Sequence, residues 1–258
     1  MLDVASPRTP RVSSLWRYPV KSMQGQKVGE MEFGMSGVEG DRAFGVLRRE
    51  SGTILSAKRE GRLLEATAEF RSGALVVTLP SGEEFHEGVR LDDELSSWLG
   101  YPVALVLAAT FGTATFESQE DFERDDSGVV SWEGTGGRFV DESALHLITT
   151  SEMERLSIER PDLHWDVRRF RPNIVVDDGE RSLDTSPLRR IQMGEVEIEI
   201  EKPCSRCVMT TRPQPGGLNR ELDVLRHVSS HHHGNVGSRA RVARPGGIRE
   251  GDEARILD

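Results

Sequence analysis

The chain has 258 residues, 36% of them hydrophobic and 29% charged, with a formal net charge of −10 and two cysteines. That is enough for one large domain or two small ones, and the acidic balance argues against general nucleic-acid or anionic-membrane binding. No apolar run approaches the roughly 18 residues of a membrane span. The opening MLDVASPRTPRVSSL lacks the basic start and apolar run of a secretory signal, and two closely spaced cysteines do not make a secreted disulfide framework. A cytoplasmic protein with neither nucleic acid nor membrane as partner is expected.

In chain order, the first hundred residues read mostly as strands. RVSSLWRYPV (11–20), VGEMEF (28–33), AFGVLRR (43–49), GTILSAKR (52–59) and ALVVTLP (74–80) are rich in β-formers and punctuated by Gly, Pro and turn dipeptides. A short helix is predicted at 92–99, with Asp92 as cap and Leu95, Trp98 and Leu99 on one face. YPVALVLAA (101–109) reads as a buried strand. Residues 111–138 are acidic and Gly-rich without steady periodicity, and are expected to be a linker or mobile loop between a β-barrel module at 1–110 and a second module at 139–258.

The second half starts with the strand ALHLITT (144–150). SEMERLSIER (151–160) follows as a helix, with Ser151 and Glu154 forming a capping box and Met153, Leu156 and Ile158 giving it an apolar face. NIVVDD (173–178) and the alternating VEIEIE (196–201) are strands. ELDVLRHV (221–228) is a helix, and two strands around a PGG turn close the chain. The four tryptophans are expected in the core or at interfaces, with Trp132 in the Gly-rich segment as the exception that could cover a pocket. His227 and His231–His233 are expected to be exposed loop residues.

Both cysteines lie in CSRCVMTT (204–211). An all-cysteine zinc site would need four thiolates. Cys204, Cys207, His227 and His231 have zinc-like end spacings but a long central gap. A redox pair belongs at a helix N-terminus, whereas VMTTRP reads as a strand. Two buried structural cysteines, or a single metal-ligating thiolate favoured by Arg206, complete the set. The pair alone leaves these readings open.

YPVKS (18–22), GDR (40–42), FRPN (170–173) and CSRC (204–207) occur in this order. Together they resemble the MOSC family, named after the C-terminal domain of molybdenum-cofactor sulfurases, and within it the members built like the mitochondrial amidoxime-reducing component and its bacterial relatives. The likeness runs from about residue 11 to the terminal IREGDEARIL. It implies an α+β, β-rich fold: a MOSC-like β-barrel, an N-terminal β-barrel module and a few peripheral helices.

The resemblance also implies a molybdenum cofactor, Mo-molybdopterin, with Cys207 as metal ligand and catalytic residue; pyridoxal phosphate is not expected. Lys21, Ser22, Arg42, Arg171, Asn173, Ser205 and Arg206 match its binding positions, and Thr149, Thr150 and Ser151 the strand-to-helix turn near it. Cys204 is read as structural. Clustered Lys and Arg suit an anionic cofactor with a phosphate, a helix N-terminus is a ready anion site, and a soft thiolate suits molybdenum. The four cations are expected to surround one anion, so that removing any of them would barely change the stability of the empty protein.

The implied activity is that of a molybdenum-dependent oxidoreductase reducing small N-hydroxylated or N-oxide substrates. The chain shows no membrane anchor and no cysteines for an iron–sulfur domain, so a separate electron-donor protein (flavin, haem or iron–sulfur) is expected. The alternatives are a sulfur or persulfide carrier, a molybdenum-cofactor carrier, or a zinc-stabilised binding module.

Overall fold

The computed structural model describes residues 9–121, 123–124, 127–134, 137–179 and 182–257. Residues 1–8 of the stretch read for a signal, and five positions of the 111–138 segment, lie outside the described residues. The fold is β-rich, with four α-helices among the described residues.

An eight-stranded sheet carries most of the second half. Its order is Ala254–Leu257, Arg190–Met193, Val196–Ser205, Asn235–Arg244, Leu145–Thr149, Ile174–Asp177, Arg11–Arg17 and Gln26–Val28. The alternation read at 196–201 is real: Val196, Ile198 and Ile200 are fully buried, while the intervening glutamates face outward. The strand Arg11–Arg17 pairs antiparallel with Ile174–Asp177. The chain's first strand therefore completes a sheet built mainly from its second half.

Most of the remaining first half forms a five-stranded sheet ordered Val103–Leu107, Phe44–Arg48, Thr53–Ile54, Ala114–Gln119, Val129–Gly134, and a three-stranded sheet of Thr67–Arg71, Ala74–Thr78 and Glu84–His86. Helix α1 (Val89–Leu99) packs Leu91, Leu95 and Leu99 into a core with Val20, Phe44 and Val77.

Several expectations are corrected. GTILSAKR contributes only Thr53–Ile54 to a strand before the chain turns. Helix α1 starts at Val89, after Gly88 as its cap residue, whose φ of 136° admits the entry turn. Asp92 does not cap it; its carboxylate accepts from the Leu105 N–H at 2.8 Å and from Arg49 at 3.0 Å, tying the helix to the next strand. That strand, Val103–Leu107, is buried only at its start, and it runs into a single turn, α2 (Ala108–Phe111).

The segment expected as a linker holds a hairpin instead. Ala114–Gln119 pairs with Val129–Gly134, and Phe116 and Phe139 bury against Ile54. Trp132 packs on Phe116, with ring centroids 5.8 Å apart. The aromatic residues that anchor the hairpin are too widely spaced to show as a period.

Helix α3 (Thr150–Glu159) is capped by Thr149, whose Oγ1 accepts from the Glu152 N–H. Ser151 lies inside the first turn and donates its N–H and Oγ–H to Asp178, at 3.0 and 2.6 Å. The helix thus begins two residues before the predicted box. Leu156 is buried, while Ile158 is exposed. VMTT is a 3-10 turn (Val208–Thr211) rather than a strand. His227 is buried on helix α4 (Leu222–His231), His231 ends that helix and His232 is half-buried, so the histidines are not simply exposed loop residues. Three strands rather than two close the chain; Gly246–Arg249 pairs with Glu30–Gly34.

Candidate functional site

YPVKS, GDR, FRPN and CSRC converge on one cleft of about 150 Å³. Six cationic side chains line it (Lys21, Arg42, Arg169, Arg171, Arg206 and Arg239) against two acidic ones, Asp141 and Glu142. In a chain of net charge −10, this is a local reversal of sign and so an attractor for anions.

The backbone is bent to achieve it. Ser22, Arg42 and Arg171 have positive φ values of 68°, 48° and 55°, half of the six such non-glycine residues described. Each such conformation costs about 1–3 kcal/mol, and such strain clusters at functional sites. Gly40 precedes Arg42 at φ 73°, where a Cβ would meet the Phe70 ring at 2.6 Å. This accounts for the glycine of GDR.

Each cation is held differently. Arg42 pairs with the fully buried Asp41 at 2.5 Å. Asp41 also accepts from the Tyr18 N–H at 2.9 Å and from Arg138 at 3.3 Å. Lys21 donates to the Phe139 carbonyl and to Asp141, which Lys58 also reaches at 2.9 Å. Arg206 donates to the Val236 and Phe170 carbonyls at 2.8 and 3.1 Å. Arg171 donates from Nη1 to the Met23 carbonyl at 2.6 Å, while its buried Nη2 has no partner.

The expectation for the empty protein therefore needs correcting. Removing Lys21 or Arg42 takes one of two cationic partners from Asp141 or Asp41, which is destabilising in itself. Among the four cations, Arg171 and Arg206 leave no carboxylate behind: Arg171 leaves the Met23 carbonyl, and Arg206 the Val236 and Phe170 carbonyls.

The guanidiniums of Arg42 and Arg171 lie over the Tyr18 ring, at 4.6 and 4.2 Å from its centroid. Burial pushes the Tyr18 phenol up to about 12. Burial, with Arg42 nearby, pushes Arg171 down to about 10. His146 meets Arg206 Nη2 through its Nε2, and burial plus that charge hold the imidazole well below its usual value. A neutral His146 can accept there and orient Arg206. Gly237 makes room for it, since a Cβ at that position would lie 2.5 Å from His146 Nε2.

Asp141 sits at the cleft rim, its side chain about a third exposed; the protein around it favours the neutral form, yet Lys21 and Lys58 outweigh that and hold its carboxyl well below the usual range. Its stabilising contribution is complete above the unfolded carboxylate value of about 3.9 and is lost as pH falls through the lower folded value. Asp141→Asn is expected to lower the thermal midpoint at neutral pH. The gap from wild type should narrow once the pH drops below about 4; a gap constant with pH would show that the charge is immaterial.

Cys207 is half-exposed at the head of the 3-10 turn, and its carbonyl accepts from both the N–H and the hydroxyl of Thr210. Cys204 is buried, which pushes its thiol pKa up. Both line the cleft, as do Ser22, Asn173 and Ser205. Ser22 Oγ accepts from the Ala57 N–H at 2.9 Å. Ser205 Oγ accepts from Arg239. Asn173 is fully buried; it donates to the Trp16 carbonyl and accepts from the His146 N–H and Arg42, joining three strands at the cleft floor.

Thr149, Thr150 and Ser151 do not line the cleft. The helix N-terminus there is already occupied by the protein itself: Thr149 caps it, and Asp178 accepts from the Ser151 N–H. Among the described residues, no cluster of potential metal ligands includes either cysteine with a histidine.

Sequence reasoning missed Tyr18, Asp41, His146, Arg169 and Asp141. Tyr18 and Asp41 stood inside the quoted motifs, and Arg169 beside FRPN. His146 had no signal apart from its place on an apolar strand.

Fold and cleft define a β-rich protein with a cation-lined pocket around a half-exposed cysteine. The MOSC N-terminal beta barrel domain matches residues 9–100 and the MOSC domain matches residues 135–255. The chain belongs to the MOSC family. It is 25% identical over 248 residues to mitochondrial amidoxime reducing component 2 of Rattus norvegicus, covering 83% of this chain and 71% of that protein. It is 21% identical to molybdenum cofactor sulfurase 2 of Culex quinquefasciatus, over 88% of this chain but 33% of that protein. Among solved structures, the YuaD protein of Bacillus subtilis aligns with a TM-score of 0.51 at 12% identity, over 96% of both chains, a likeness of fold.

Proposed function

We propose that this protein binds a molybdenum–pyranopterin cofactor in the cleft, with Cys207 as the metal's thiolate ligand, and reduces small N-hydroxylated or N-oxide compounds. For a hydroxylamine, two electrons and two protons convert R–NHOH to R–NH₂ and water. When bound, the cofactor would supply the two-electron redox centre. Cys207 presents a soft donor at the cleft wall. Arg171 offers one unsatisfied, desolvated donor, Nη2, suited to an anionic oxygen, and His146 and the Val236 carbonyl orient Arg206 in the same cleft. Asn173 holds the strands that carry these groups in register.

The observation that carries this reading is the buried, unpartnered Nη2 of Arg171 in a cleft where cations outnumber acids and the half-exposed cysteine sits. In the same proposal, residues 1–110 and 139–258 act as two modules sharing the cleft, electrons come from a separate donor protein, and the setting is cytoplasmic. No helix among the described residues is long and apolar enough to cross a membrane.

Protein purified from a host that makes the cofactor is expected to carry about one molybdenum and one pterin per chain, and protein from a cofactor-deficient host none. Arg171→Met removes one charge-assisted hydrogen bond, a loss of roughly 1.5–3 kcal/mol. Retention should therefore weaken about tenfold or more, with little change in the thermal midpoint of the empty protein. Zinc in place of molybdenum that is lost in a Cys204→Ser/Cys207→Ser variant, and so is held by the cysteines, would overturn the reading. So would a persulfide on Cys207 with no pterin, which would favour the sulfur-carrier alternative that the sulfurase relatives suggest.

A further inference from the structure

Outside the cleft, Glu159, His227 and His232 bring their ligand atoms within 4.8 Å of one another. Glu159 ends helix α3, His227 lies on helix α4, and His232 follows its last turn. Nε2–H of His227 donates to Glu159 Oε2 at 2.9 Å, and Nε2–H of His232 donates to the same oxygen at 2.6 Å. Two imidazoles thus converge on one carboxylate oxygen. We propose that Glu159, His227 and His232 form a second, independent site that binds a divalent transition metal, Zn²⁺ being the ion it fits best.

The donor set is two neutral imidazoles and one carboxylate, which suits a borderline ion such as Zn²⁺ better than Mg²⁺ or Ca²⁺. At Zn–N and Zn–O bonds of about 2.0–2.1 Å, tetrahedral ligand atoms lie roughly 3.3 Å apart. The two nitrogens lie 2.9 and 2.6 Å from the carboxylate oxygen, so an opening of roughly half an ångström would give the spacing the ion needs. Binding uses the Nε2 lone pair of each imidazole, whose single proton shifts to Nδ1, so that each ring stays neutral and no proton is lost.

The histidines are preorganised. His227 is buried, with Trp165 edge-on at 5.8 Å and His231 stacked at 4.5 Å between centroids. The hydrogen bonds from His227 and His232 hold the Glu159 carboxyl below its usual range, as a ligand anion requires. Three protein ligands leave a fourth position open to water or a small anion. The site does not rest on the role proposed for the cleft.

The test is titration of the chelator-treated full chain with Zn²⁺ alone, in competition with a chromophoric chelator, with thermal midpoints read in parallel. Wild type is expected to bind one Zn²⁺ and gain thermal stability. The Cys204→Ser/Cys207→Ser double variant should do the same, which separates this site from the thiols. His232→Gln and Glu159→Gln, both at accessible positions, should each weaken binding by at least about tenfold, since even outer partners of ligands cost 10–100-fold, and should lose the midpoint shift. Three results would overturn the proposal: no Zn²⁺ bound by wild type at 100-fold excess over protein, affinity unchanged in both ligand variants, or binding that disappears with the cysteines.

Discussion

Cys207→Ser is expected to abolish reduction of an N-hydroxylated test substrate, while Cys204→Ser keeps most of it. Both sulfurs line the same cleft and are separated by only two residues, so proximity cannot explain a difference. Their settings can. Cys207 is half-exposed at the start of a 3-10 turn whose geometry leaves its side chain free. Cys204 is buried at the end of a strand, where desolvation disfavours its thiolate. A serine at 207 offers a harder and far less acidic donor. The loss should exceed the roughly 10–100-fold typical of changes in a ligand's outer partners, and molybdenum content should fall with it. Serine at 204 buries a hydroxyl in place of a thiol, a stability cost of about 1–3 kcal/mol without direct loss of a ligand. Equal loss in the two variants, together with a change in titratable thiols between oxidised and reduced protein, would point to a redox dithiol instead.

Arg169→Met should be the most destabilising single substitution around the cleft. The side chain is fully buried although it is an arginine. It donates to the carbonyls of His164, Thr210 and Asn219 at 2.9, 3.1 and 3.0 Å, and to Glu221 at 2.7 Å. It thereby ties the turn after Cys207 to the segment leading into helix α4. Removing it takes the guanidinium from a partly buried carboxylate, which keeps His164 as its partner, and leaves several carbonyls without their donor; breaking such a buried pair costs about 3–5 kcal/mol. For a chain of this size the thermal midpoint should fall by roughly 10 °C. Arg171→Met, two residues away, is expected to leave that midpoint nearly unchanged, because no carboxylate depends on it. Similar midpoints for the two variants would mean that Arg169 does not anchor the turn.

How far the sequence could be read follows from how local each signal is. The period of two at 196–201, the apolar spacing of helix α1 and the Gly and Pro punctuation act between near neighbours, so strands and helices were legible one by one. The four motifs were legible for a related reason. Each encodes a local bend, such as Gly40 before Arg42 or Pro172 after Arg171, and their order along the chain carried the family.

What the sequence by itself determined is therefore a β-rich chain of this family, with Lys21, Arg42, Arg171, Arg206 and Cys207 singled out. Only the tertiary structure decided the rest. It seats the first strand in the second half's sheet, because the hydrogen bonds between Arg11–Arg17 and Ile174–Asp177 span some 160 residues and leave no local trace. It turns the acidic 111–138 segment into a hairpin through aromatic contacts with Ile54. It fills the N-terminus of helix α3 with Asp178, removing an anion site that the sequence suggested. It also separates cations that look alike in sequence. Lys21 and Arg42 have carboxylate partners and Arg206 has carbonyls, while Arg171 keeps one buried donor free, because pairing depends on which side chains the fold brings within hydrogen-bond reach.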